Sequence, residues 1–251
     1  MISLLASVRD LAEAREAASA GADLVDLKEP SAGALGALAT PRIREIVAAV
    51  RRDWPQRPVS ATIGDFEPAD HAARCAKAVE VAGCGVDYVK AGVTPGTDAM
   101  AALAGLAALQ LPNIVIVFLA DAGIDLQLAQ AAAPMGFAGL MVDTADKTAG
   151  SLLRHADPRK LRSFVAIARG HGCLSGIAGS LGSGDVDLLR RLAPDFAGFR
   201  GALCDDGRRG RLNPAKIQDL RAALRGKLGS ERNWLEKGQM GVRAKFGSRF
   251  G

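Results

Sequence analysis

The sequence predicts an α/β protein, a single (β/α)8 or TIM barrel, on three observations. The chain has 251 residues, the size of one such barrel and enough to bury a large core. Eight strand-like runs alternate with eight helical runs, which is the pattern of a parallel sheet covered by helices. The strand-like runs are apolar and the links between elements are short, as expected of strands buried on both faces. An open, doubly wound sheet uses the same alternation, but eight repeats in this length favour closure.

The elements follow in order. Ile2–Ala6 reads as the first strand and Arg9–Ala20, rich in alanine, as a helix closed by Gly21. Asp23–Lys28 is the second strand, and a glycine-containing loop, Ser31–Ala39, leads to Thr40-Pro41 as cap and first turn of a helix that runs to about Arg52. Pro58–Ile63 is the third strand, ending at Gly64-Asp65, followed by a helix over Ala69–Ala82. The fourth strand is Val86–Lys90, with a helix over Pro95–Leu109, and the fifth is Asn113–Leu119, with a helix over Ile124–Ala133. Phe137–Asp143 and the Pro158–Arg169 helix make the sixth pair, with His155 in the linker. The seventh pair is Gly172–Ala178 and Asp185–Leu192, with Ser183-Gly184 as helix cap. Phe196–Phe199 and Asn213–Arg225 complete the barrel, a catalytic domain over residues 1–225. Residues 226–251 mix glycines with an excess of lysine and arginine and read as a short, loosely ordered basic tail.

Barrel chemistry belongs at the C-terminal ends of the strands. Side chains alternate along a strand, so Asp26 and Lys28 share one face while Val25 and Leu27 take the other. Asp65 follows the third strand, Lys90 ends the fourth, and Asp143 ends the sixth with Lys147 in the loop beyond it. An ordinary ion pair at a sheet edge explains Asp26 and Lys28 equally well. The recurrence of lysine at three strand ends points instead to a shared site. A free lysine, with a pKa near 10.4, is a poor nucleophile. Neighbouring cations and partial burial bring such a group toward about 7–8, where its amine attacks carbonyls to form a Schiff base. Strand seven runs into Gly179-Ser180 and strand eight into Gly201-Ala202. Either could be only a tight turn, but loops at these two places are the usual phosphate cradle of the fold.

Bulk properties narrow the function classes. The hydrophobic fraction of 49% and charged fraction of 24% are ordinary for a globular protein. No apolar run approaches a membrane span and the N-terminus lacks a signal-peptide pattern, so a cytoplasmic protein without membrane association is expected. Cys75, Cys84, Cys173 and Cys204 lie far apart, suggesting reduced thiols. His71, His155 and His171 have no metal-ligand spacing, and Gly33 and Gly36 start no dinucleotide fingerprint, so neither metal nor other cofactor is expected. A net charge of +5 is compatible with nucleic acid, but much of it sits in the tail and aromatic residues are only 4%, too few for stacking platforms. No nucleic-acid partner is expected. Clustered cations serve a small phosphorylated substrate equally well.

The segments GADLVDLKEPSAGALGA (21–37), VSATIGD (59–65), GVDYVKAG (85–92), MVDTADK (141–147), IAGS (177–180) and FRGALC (199–204) carry a further signal. Across residues 1–225 the sequence resembles the (5-formylfuran-3-yl)methyl phosphate synthases, also called 4-(hydroxymethyl)-2-furaldehyde-phosphate synthases, of methanofuran biosynthesis and one-carbon metabolism. The resemblance implies a lyase that condenses two molecules of glyceraldehyde 3-phosphate, with a triose phosphate as its small-molecule partner and a homo-oligomer as its expected assembly. It places the Schiff-base lysine on Lys28, a companion aspartate on Asp26, the proton-accepting lysine on Lys90, and a further acid and lysine on Asp143 and Lys147. A class I aldolase or isomerase of another sugar phosphate needs the same groups, and a barrel that only binds a sugar phosphate or nucleic acid is the non-enzymatic alternative.

Overall fold

The computed structural model describes residues 1–146 and 149–226. Lys147 and the tail from residue 227 onward therefore lie outside the described residues. Eight parallel strands close in sequence order: β1 (Ser3–Val8), β2 (Leu24–Leu27), β3 (Val59–Thr62), β4 (Tyr88–Val93), β5 (Ile114–Leu119), β6 (Gly139–Asp143), β7 (Leu174–Ile177) and β8 (Phe196–Phe199). β8 pairs back onto β1 through Ser3↔Phe196 to Ala6↔Phe199, so no sheet edge is left open. The helices are α1 (Leu11–Ser19), α2 (Thr40–Asp53), α3 (His71–Ala82), α4 (Ala99–Ala108), α5 (Leu126–Ala132), α6 (Leu152–His155), α7 (Pro158–Gly170), α8 (Val186–Leu192) and α9 (Pro214–Arg225). No described helix is long and apolar enough to cross a membrane.

Local chemistry sets several helix starts. The carboxylate of Asp10 accepts the Glu13 N–H at 2.9 Å, and Asn213 accepts from Ala215 at 3.0 Å just before Pro214. These contacts satisfy backbone donors that lack a partner at the first turn. Thr40, the cap that the sequence suggests, is already helical. Ala39 stands at the cap position and the Thr40 hydroxyl donates to Glu80 of α3 at 2.9 Å. Ser183-Gly184 do not cap α8 either, since they lie in a 3-10 turn, Ser183–Asp185. His155 ends α6 rather than lying in an open linker; its Nε2 is 2.7 Å from the Ala149 carbonyl oxygen.

Strand alternation divides the apolar residues into two bodies. On β5, Ile114, Ile116 and Phe118 pack outward under the helices, while Val115 and Val117 point into the barrel. The interior body also contains Leu5, Leu24, Tyr88, Met141, Leu174 and Phe196, and fills the N-terminal half of the lumen. The same inward parity carries Ser7, Asp26, Ser60, Thr62, Lys90 and Asp143 in the C-terminal half, all buried. The lumen is therefore apolar below and polar above. Two glycines shape its β7–β8 side: a Cβ on Gly176 would overlap the Phe196 ring, and one on Gly198 would lie 3.1 Å from the Ala178 Cβ and 3.2 Å from the Met141 Cε. Phe196 thus fills the floor beside Gly176, and a space remains above it.

β4 differs from expectation. It continues through Ala91, Gly92 and Val93, which pair with Ile116, Val117 and Phe118. Lys90 therefore lies mid-strand, deeper in the barrel than a strand-end residue. Gly92 does not end the strand. It makes room for Leu35, whose Cδ1 would lie 2.5 Å from an added Cβ. Leu35 is almost wholly buried, so the loop after β2 folds down onto the lumen instead of crossing the surface.

Candidate active site

A cavity of about 370 Å³ opens at the C-terminal end of the barrel, within the size range of small-ligand sites. Lys28, Lys90, Asp143, Gly179, Ser180, Gly201 and Ala202 all line it, together with Ser7, Arg200 and Arg208. Asp26 lies beneath, fully buried.

The polar core of the site follows from register. Ser7 of β1 is level with Asp26 of β2, which is level with Ser60 of β3. Both hydroxyls donate to the aspartate, Ser60 Oγ to Oδ1 at 2.6 Å and Ser7 Oγ to Oδ2 at 3.0 Å. Lys90 Nζ, two strands away, donates to the same Oδ2 at 2.8 Å. Burial is the largest single influence on the Asp26 carboxyl and pushes its pKa up. The ammonium groups of Lys90 and Lys28 and the hydrogen bonds from Lys90 and Ser60 outweigh it, so the group is held below the usual carboxylate range, as a carboxylate. Lys28, one residue past β2, is anchored by its backbone N–H to the Val8 carbonyl at 3.0 Å, and its buried side chain enters the cavity.

The loop after β6 is also built from the backbone up. Asp143 Oδ1 accepts the Thr144 N–H at 2.8 Å, and Asp121 accepts the N–H groups of Ala145 at 2.7 Å and Asp146 at 2.8 Å. This fixes the approach to Lys147, which itself lies outside the described residues. Across the cavity, Gly179 takes a φ of +106°, and an added Cβ would meet Leu152 at 2.9 Å. Only glycine fits there without strain and collision. Ser180 follows at φ +49°, a left-handed conformation uncommon in non-glycine residues and often kept at functional sites.

Asp65 does not join this group. Its Oδ2 accepts the Leu35 N–H at 3.2 Å, holding down the loop after β2, and its side chain lines a separate pocket of about 250 Å³ with Arg74 and Asp98. Sequence reasoning missed Ser7, Ser60, Arg200 and Arg208. The first two share the inward parity of Asp26, so strand alternation marks them once the register is fixed. The arginines carry no comparable signal: Arg200 follows an apolar strand, and Arg208 sits in the run Gly207-Arg208-Arg209-Gly210, which reads as a solvated turn.

This arrangement gives a carboxylate between two lysines, an acid across the cavity, and glycine-rich loops on the β7–β8 side. The pattern of the 4-HFC-P synthase family matches residues 4–221, the whole region that builds this site. The chain belongs to that family. A candidate (5-formylfuran-3-yl)methyl phosphate synthase of Methylorubrum extorquens is 41% identical over 88% of this chain and 91% of its own length. The (5-formylfuran-3-yl)methyl phosphate synthase of Methanosarcina mazei is 34% identical over 86% of this chain and 97% of its own. The family name is that of a synthase, an enzyme. Among solved structures, 3-keto-L-gulonate-6-phosphate decarboxylase from Vibrio cholerae superimposes with a TM-score of 0.61 at 16% identity, covering 95% of this chain and 98% of that one. Phosphoribosylanthranilate isomerase from Thermotoga maritima gives 0.58 at 15% identity, covering 90% and 100%. At such identities these two show the shared barrel fold alone.

Proposed function

We propose that this member of the family condenses two molecules of glyceraldehyde 3-phosphate into (5-formylfuran-3-yl)methyl phosphate, releasing one phosphate and two waters, by way of a Schiff base on Lys28. The observation that carries the reading is the convergence of Lys28, Lys90 and Asp143 on one cavity with Asp26 beneath it. The name of the Methanosarcina mazei relative supports the product.

In this mechanism the Lys28 amine adds to the triose-phosphate carbonyl and loses water to give an iminium. Asp26, held ionised, is the fixed negative charge beside that cation, so its part is electrostatic and not that of a proton store. Lys90 removes a proton from the carbon next to the iminium, leaving an enamine that attacks the aldehyde of a second triose. For this step the proton that Lys90 donates to Asp26 passes first to solvent water, so that the free amine is the base. Hydrolysis of the Lys28 iminium returns the water lost in forming it and frees the lysine, and Asp143, with Lys147 four residues on, assists the elimination of phosphate, the ring closure and the dehydrations. The loops at Gly179-Ser180 and Gly201-Ala202 hold a substrate phosphate on backbone N–H groups.

The test is incubation with glyceraldehyde 3-phosphate, following ultraviolet absorbance and inorganic phosphate together. A furan aldehyde absorbs and an ordinary aldol product does not, so both signals should rise in step. Borohydride added during turnover should leave a mass adduct on Lys28, and Lys28→Arg should abolish both adduct and product. An adduct on another lysine, or absorbance without phosphate release, refutes the scheme.

A further inference from the structure

The loop after β8 is held with unusual firmness for an exposed turn. Arg200, almost wholly buried, donates from Nε to the Arg208 carbonyl at 3.0 Å and from Nη2 to the Gly210 carbonyl at 3.1 Å. Its other bonds run inward, to the Ser7 carbonyl at 3.1 Å and to the buried carboxylate of Glu13 at 3.0 Å. One buried guanidinium thus fixes the backbone on both sides of Arg209 and ties it to the end of β1.

The result is that Arg208 is aimed. Its half-buried side chain lines the same cavity as Lys28, Lys90 and the Gly179–Gly182 backbone. Nη2 reaches across the mouth to donate to the Gly33 carbonyl, in the loop after β2, at 3.0 Å. Nε is buried and has no hydrogen-bond partner among the described residues. A guanidinium offers five N–H donors, and a buried donor left unmet costs free energy. Burial is the main influence that lowers the Arg208 pKa, while Asp143 and Asp65 oppose it from their own positions. A group built in this way is completed by an anion with several acceptor oxygens. A carboxylate would leave the facing glycine loops unused, whereas a phosphate spans both sides.

We propose that Arg208 is a substrate-binding residue that clamps a phosphate monoester against the Gly179–Gly182 and Gly201–Ala202 loops and, through Gly33, holds the loop after β2 over Lys28. This rests on the reading of the cavity as a sugar-phosphate site, but not on the furan-forming reaction.

Glycerol 3-phosphate separates the two, because it carries the phosphate and has no carbonyl to react. Its affinity for the full-length protein is measured by calorimetry in wild type, Arg208→Gln and Arg208→Lys, with circular dichroism and melting to verify the fold. Arg208→Gln should raise Kd about ten- to a hundredfold, the effect of losing hydrogen bonds to a charged group. Arg208→Lys should fall between, because it keeps the charge but loses the planar fork. Borohydride trapping of unphosphorylated glyceraldehyde on Lys28 should be much less affected than trapping of glyceraldehyde 3-phosphate. Equal Kd in wild type and a folded Arg208→Gln, or no binding to wild type, overturns the assignment. So does an equal loss of trapping with both aldehydes, which would mark a merely structural residue. If Arg208→Gln weakens glycerol 3-phosphate binding while wild type makes no furan, the reaction falls and the clamp stands.

Discussion

At the scale of single residues, the centre of this protein is Asp26. It is fully buried, accepts from Ser7, Ser60 and Lys90, and compensates two lysines. Removing its charge leaves buried Lys90 without its counterion, which costs about 3–5 kcal/mol in comparable pairs. Asp26→Asn is therefore expected to lower the unfolding free energy by several kcal/mol at neutral pH. The pH dependence follows from the depressed carboxyl. Its pKa lies below the ordinary aspartate value in the folded protein, so its contribution is present above that ordinary value and is lost as pH falls through the folded one. The gap in urea-measured stability between wild type and Asp26→Asn should consequently narrow in acid. A gap that stays constant between neutral pH and pH values below the folded pKa would show that the charge of Asp26 contributes little.

At the scale of elements, period-two alternation decides what each strand contributes. β1, β2, β3, β4 and β6 each carry apolar residues outward and at least one polar residue inward near the top. β7 and β8 contribute space instead, through Gly176 and Gly198. The Gly176 position makes a direct test of this packing. Gly176→Ala drives a methyl into the Phe196 ring and should destabilise the barrel by about 1–3 kcal/mol, as overpacking does. Phe196→Leu alone should also destabilise, but the double variant should recover part of the sum, because the smaller side chain relieves the collision. Strict additivity in thermal unfolding would mean that Phe196 is not the obstacle.

At the scale of the whole molecule, closure and function are joined by one ion pair. The β8–β1 seam completes the sheet, and Arg200 crosses that seam to Ser7 and Glu13 while holding the loop that bears Arg208. Glu13 belongs to α1, on the outside of the barrel, and does not line the cavity. Glu13→Ala leaves a buried guanidinium unpaired and should cost about 3–5 kcal/mol. It should also weaken glycerol 3-phosphate binding severalfold without touching the cavity. Loss of stability with unchanged affinity would separate the seam from the site.

The sequence by itself determined the barrel, because eight alternating apolar runs leave few other ways to bury both faces of a parallel sheet. It also determined that Asp26 and Lys28 share a face, since Val25 and Leu27 require the opposite one. Tertiary structure decided what distance in the chain conceals. Which hydroxyls meet Asp26 depends on strand register, a relation between residues 19 and 34 positions apart. Whether Asp65 faces the lysines or the Leu35 backbone depends on how the loop after β2 folds back, and the depth of Lys90 depends on Gly92 yielding to Leu35. Arg208 owes its direction to a carboxylate on α1, nearly the full barrel away in sequence. Periodicity is a local property and is written in neighbouring residues. Register, loop path and the aim of a long cationic side chain are set only when distant segments compete for the same buried space.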